Sequence, residues 1–175
     1  MEVKLGDPES VARALVLRQL DARARTRVEL ERYLTRKGVP EDPAKRVLDR
    51  FVELRLIDDQ ALACAYVVSR HAEQGLARRA LAMKLRQRGI DDTTASAALS
   101  EVTSDSEIEA ARRLVDRKLR SMRDLDPMVQ TRRLVNLLGR KGYPGGLAYQ
   151  VVREAVTADS EGAGDGADGV PLDLD

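Results

Sequence analysis

Apolar side chains return along this chain at intervals of three and four residues, the rhythm of a helix that buries one face. In LERYLTRKGVP, residues 30–40, Leu30 and Leu34 share that face, and Lys37 and Gly38 follow where a helix would close. The pattern is written twice more, as LAMKLRQRGID over residues 81–91 and LVNLLGRKGYP over residues 134–144. Its columns are Leu30, Leu81 and Leu134; Leu34, Leu85 and Leu138; Lys37, Arg88 and Lys141; Gly38, Gly89 and Gly142; and Val39, Ile90 and Tyr143. A base in the last turn meets the negative end of the helix dipole, and glycine supplies a left-handed C-cap. Each copy therefore predicts a helix end, with the glycines 51 and 53 residues apart.

After each glycine, Pro40, Asp91 or Pro144 opens a second helix with buried columns Val47, Ala98 and Val151; Leu48, Leu99 and Val152; and Phe51, Val102 and Ala155. A third helix precedes each copy, over residues 10–22, 58–71 and 105–120. The expected fold is all-α, about nine helices in three tandem three-helix repeats over residues 10–57, 58–103 and 104–156. An N-terminal arm, residues 1–9, and a tail, residues 157–175, flank them. Repeats of roughly fifty residues bury little alone, so they should stack into an elongated, curved array suited to a large partner surface. Because they can bury their faces on one another, a monomer is expected.

Composition narrows the class. The chain is 34% charged, holds 3% aromatic residues and no tryptophan, and has no apolar run long enough to cross a bilayer. Its start does not read as a signal peptide and its single Cys64 has no internal partner, which points to the cytoplasm and away from membranes.

Charge changes the picture more. The tail carries six acids and no base, lacks a helical stripe, and reads as a disordered, solubilising end, with docking on the chain's own basic face as the alternative. Without it the net charge rises from +1 to +7. Residues 74–90 hold five bases and no acid, as do residues 127–153, whereas the first repeat mixes signs. Arg79 and Arg86, like Arg133 and Arg140, are seven apart and share a face away from the leucines. The candidate anion-binding residues are Arg78, Arg79, Lys84 and Arg86 of the second repeat with Arg132, Arg133, Arg140 and Lys141 of the third.

Catalytic chemistry finds no foothold. Cys64 and the single His71 do not make a metal site at any usual spacing, and the glycine-rich GAGDGADG follows no strand and is flanked by acids that repel phosphate. Asp58 and Asp59 stand before a helix, one as N-cap and the other as a first-turn acid. No enzyme, cofactor or metal is expected.

The block RLIDDQALACAYVVSR, residues 55–70, resembles the most recognisable stretch of the RecX family, and YLTRKGVP, RRALAMKLRQRGI and RRLVNLLGRKGYP stand around it in the family's order. The similarity spans residues 12–155. It implies three three-helix repeats and a negative regulator of the RecA recombinase. Such a regulator binds the groove of the RecA nucleoprotein filament and inhibits ATPase, strand exchange and coprotease activity by blocking extension or promoting disassembly. The eight basic residues would then meet RecA and DNA phosphates. With so few aromatics, any DNA contact should be weak and sequence-independent. Two departures are the acid and amide at Glu73 and Gln74, where bases would be expected, and the acidic tail. A helix-turn-helix DNA-binding regulator and a structural repeat scaffold are the alternatives.

Overall fold

The structure, a computed structural model, describes residues 7–164. Nine α-helices and no strand occur among these residues: α1 (Pro8–Ala22), α2 (Arg27–Arg36), α3 (Glu41–Glu53), α4 (Asp59–Gln74), α5 (Arg78–Gln87), α6 (Asp92–Leu99), α7 (Ser104–Leu119), α8 (Pro127–Arg140) and α9 (Gly145–Gly164). Side chains mark the starts: Asp91, as expected, accepts from the Thr94 N–H at 2.9 Å, and Thr103, just ahead of the expected start at residue 105, accepts from the Ser106 N–H at 3.1 Å. Each saves an orphan donor worth about 1 kcal/mol.

The repeated motif is a Schellman C-cap. Gly38, Gly89 and Gly142 have φ of 76°, 80° and 92°. The N–H of the apolar residue after each reaches back to the second leucine's carbonyl: Val39 to Leu34, Ile90 to Leu85 and Tyr143 to Leu138, all at 3.1 Å. That bond, with the apolar contact accompanying it, is why the leucine, glycine and apolar columns repeat together. All six motif leucines are fully buried, each contributing on the order of 2 kcal/mol of hydrophobic stabilisation. Of the remaining expected core columns, Val39 and Ala155 are only partly buried.

The chain divides into two compact units, residues 1–69 with 81–101 and residues 70–80 with 102–175. The second repeat therefore contributes to both. The first unit has a core including Val16, Leu30, Leu34, Leu48 and Phe51. The second is built around Val115, Leu134, Leu138, Tyr143 and Val152.

Within each unit, the start of one repeat's middle helix is completed by the repeat that follows. In the first, the Thr26 hydroxyl donates to the Arg88 carbonyl at 2.7 Å, and the Arg27 N–H donates to Asp59 Oδ1 at 2.9 Å. The Arg88 guanidinium donates to both Glu29 oxygens at 2.9 and 3.0 Å and lies 5.6 Å from the centre of the Tyr66 ring. In the second, the Ala77 N–H donates to the Lys141 carbonyl at 3.0 Å and the Arg78 N–H to Glu107 Oε1 at 2.8 Å. Lys141 Nζ donates to the Gln74 carbonyl at 2.9 Å, and the Tyr143 hydroxyl to the Gly75 carbonyl at 3.1 Å. Burial pushes the Tyr143 phenol up to about 12.

These junctions give two of the glycines a second reason. A Cβ on Gly89 would stand 2.6 Å from the Val28 side chain, and one on Gly142 would stand 2.6 Å from Ala80 Cβ and 2.7 Å from its backbone nitrogen. At Gly38 nothing lies within 4 Å. Asp58 is the N-cap of α4, accepting from the Ala61 N–H at 2.9 Å. Asp59 is the first-turn acid of α4, as expected, and takes on a second role by accepting from the Arg27 N–H at the start of α2.

The segment expected to be disordered from Thr157 continues α9 for eight residues, to Gly164. A formed helix extends at one hydrogen bond per added residue, and Asp159 meets Arg123 at 3.5 Å. Residues 1–6 of the expected arm and 165–175 of the expected tail lie outside the described residues.

Gly38→Ala should cost about 1 kcal/mol for its positive φ alone, whereas Gly142→Ala adds a backbone clash and should cost at least twice that in urea titrations. Equal losses would contradict the junction's tightness. A pH effect follows from Glu29. Burial pushes its carboxyl up, but the Arg88 and Thr26 hydrogen bonds outweigh burial and hold it below its ordinary 4.5. Its stabilisation is therefore complete above pH 4.5 and lost as pH falls through the lower folded value. Glu29→Gln should cost about 1–2 kcal/mol at neutral pH, and its deficit against wild type should shrink in acid. Asp59, the second carboxyl of the same junction, works in reverse, since burial raises it above its ordinary 3.8. Denaturation of Glu29→Gln and wild type across that range checks the sign.

Candidate anion-binding interface

Seven of the eight basic residues singled out from sequence are exposed: Arg78, Arg79, Lys84, Arg86, Arg132, Arg133 and Arg140. Lys141 is half-buried and tied to the Gln74 carbonyl, so its charge serves the junction described above. Arg86 faces Asp92 at 3.0 Å, an exposed pair worth well under 1 kcal/mol and easily exchanged for another anion. The other six exposed bases make no ion pair among the described residues. Helix α5 turns Arg79 and Arg86 to the side opposite the buried Leu81 and Leu85, while Arg78, its first residue, and Lys84 are exposed on the flanks of the leucine side. On α8, Arg132 and Arg133 likewise lie away from the buried Leu134 and Leu138.

The first unit confirms the sign mixing of its sequence. Arg27 and Lys45 share Asp49, Arg46 meets Glu9, Arg50 meets Glu53, and Arg88 meets Glu29. In the second unit Arg112 and Arg113 are paired with Glu154 and Glu109, while Arg117 and Lys118 of α7 are exposed and make no ion pair among the described residues. The six bases against one acid in residues 110–123 were visible in the sequence, and the candidate set omitted these two.

Few rings are available for bases to stack on. Tyr143 is buried, Tyr66 lies beneath Arg88, and Tyr33 lies beneath Lys37 at 5.7 Å. Tyr149 is the exception, 55% exposed. His71 is a loop clamp: Nδ1 bonds the Leu76 carbonyl at 2.9 Å, leaving Nε2 buried without a partner among the described residues. Among those residues no three His, Cys, Asp or Glu side chains gather as a metal site, and no helix is long and apolar enough to cross a membrane.

A series of three-helix repeats, with exposed bases on the second and third, defines an all-α helical repeat protein. Models of the first, second and third three-helix domains of RecX match residues 12–51, 58–99 and 105–152, and the chain belongs to the RecX family. It is 46% identical over 155 residues to a regulatory protein RecX of Streptomyces coelicolor, covering 89% of this chain and 82% of that one. It is 47% identical over 148 residues to the one of Thermobifida fusca, covering 85% and 80%. The crystal structure of RecX from Lactobacillus salivarius superposes with a TM-score of 0.76 at 23% identity, covering 86% of this chain and 97% of that one. These relatives are named as regulatory proteins, not enzymes.

Replacing Lys141 by Met should cost about 1 kcal/mol through the lost Gln74 bond, while Arg133→Gln should stay within about 0.5 kcal/mol. Thermal denaturation of both variants separates the structural base from the free one; a silent Lys141 variant would return that residue to the binding set.

Proposed function

We propose that this chain is a negative regulator of RecA, binding the groove of the RecA–DNA filament and lowering its ATPase, strand exchange and coprotease activities by blocking extension or promoting disassembly. Arg78, Arg79, Lys84 and Arg86 on α5, with Arg132, Arg133 and Arg140 on α8 and its end, provide the contacts. The observation that carries this reading is that these bases are all exposed and, Arg86 apart, are not committed to ion pairs among the described residues. Such groups bind a polyanion by releasing counterions, without reading sequence. The shortage of exposed rings agrees with weak phosphate contact rather than base stacking. Monomeric action in the cytoplasm is part of the same reading.

A helix-turn-helix reader is less well supported. Gly89 and Gly142, which would form its turns, press against Val28 and Ala80 and are occupied by packing.

The test is the single-stranded-DNA-dependent ATPase of the cognate RecA, titrated at substoichiometric ratios and fixed salt. Wild type should inhibit well below one molecule per RecA. Arg79→Glu combined with Arg86→Glu should need at least tenfold more protein while keeping native circular dichroism, because loss of two phosphate or carboxylate contacts removes about 1.4 kcal/mol or more. Full inhibition by a folded double variant would remove this surface from the proposal. Absence of inhibition by wild type, with tight duplex binding, would favour the helix-turn-helix alternative.

A further inference from the structure

We propose that the last residues of the chain dock on the second unit, with Val170, Leu172 and Leu174 entering a cleft between α8 and α9 and Asp173 and Asp175 meeting Arg132 and Arg133. The cleft, about 500 Å³, is lined by Met128, Thr131, Arg132, Val135, Asn136 and Tyr149. It exposes the two most open large apolar side chains of the described chain, Met128 at 82% and Tyr149 at 55%, the latter matched by Val68 of the other unit. Arg132 and Arg133 beside it are exposed and make no ion pair among the described residues.

The sequence outside the described residues has the complementary chemistry. VPLDLD, residues 170–175, places Val170, Leu172 and Leu174 in alternation with Pro171, Asp173 and Asp175. In an extended backbone, which Pro171 favours, alternation would turn the apolar side chains to the cleft and both acids outward, where the long exposed side chains of Arg132 and Arg133 on the rim can reach up to them. Residues 165–175 carry four acids and no base, opposite in sign to the cleft's rim.

Reach is adequate. The short connection between α8 and α9 makes the two helices antiparallel neighbours, so the end of α9 lies toward the start of α8. The Arg123–Asp159 pair fixes this, since Arg123 lies in the loop just before α8. From Gly164, six residues to Val170 extend up to about 20 Å, comparable to the length of α8 itself. The contact stands on these observations alone. That it would make the tail a competitor of the filament rests on the function proposed above.

Methyl NMR of the full chain with labelled methionine tests the contact, using Met128→Leu for assignment and Met83, exposed in the other unit, as internal control. Leu172→Ser with Leu174→Ser should move the Met128 methyl resonance by several line widths and leave Met83 in place, and Asp173→Asn with Asp175→Asn should make the resonance less sensitive to added salt. A Met128 resonance unchanged by the leucine pair overturns the proposal. So does a resonance that follows protein concentration instead of the tail variants, since a second copy would then cover the cleft. Neither outcome bears on RecA inhibition, which the ATPase titration judges separately.

Discussion

The first turn of a helix leaves backbone N–H groups without intrahelical partners, and in a buried setting each must find an acceptor. Two middle helices of this protein take theirs from the repeat that follows. The Arg27 N–H finds Asp59 and the Arg78 N–H finds Glu107, while the residue before each helix donates to the carbonyl of Arg88 or Lys141. A repeat cut at its own boundary would lose an acceptor. The division of the chain reflects this: residues 70–80, though written as part of the second repeat, group with the third, where the start of α5 is completed.

The middle helix of the third repeat is built differently. Helix α8 begins at Pro127, which brings no N–H to satisfy, and Asp126 accepts from the Met128 N–H at 2.8 Å. The column that holds Thr26 and Ala77 holds Gln130 here. Its buried amide donates to the Met122 carbonyl of the same repeat at 2.9 Å instead of to a neighbour. An added turn with a self-supplied cap thus takes the place of the acceptors that the other two middle helices find in a neighbour.

Much of this was legible in the chain. The leucine, glycine and apolar columns announced the helix ends because a Schellman cap ties those positions within a single segment, so its signature survives in one dimension. The junctions did not announce themselves. Asp59 and Glu107 perform one task from different places in their helices, and Thr26 and Ala77 perform another with a hydroxyl and a backbone N–H. No residue column records a role that changes its chemical carrier. Arg55 shows the same limit, ending α3 at φ 56° with Leu56 N–H returning to the Phe51 carbonyl at 2.9 Å, a glycine-type cap without glycine. The helical run past Thr157 was hidden for another reason: it continues a helix nucleated upstream and needs no apolar stripe of its own.

The candidate interface was legible to the same partial degree. Sequence shows where bases cluster but not which of them already hold a partner. Arg88 and Lys141 occupy one column, and in both the carbonyl and the side chain hold the junction. An anion recruiting either side chain would have to compete with a contact the fold uses. Binding that leaves the repeats intact must therefore fall to the bases flanking that column, on the turns that point away from the leucines. This separates partner contact from fold stability on the same helices, and it is why charge reversal at Arg79 can alter binding where a change at Lys141 would alter the fold.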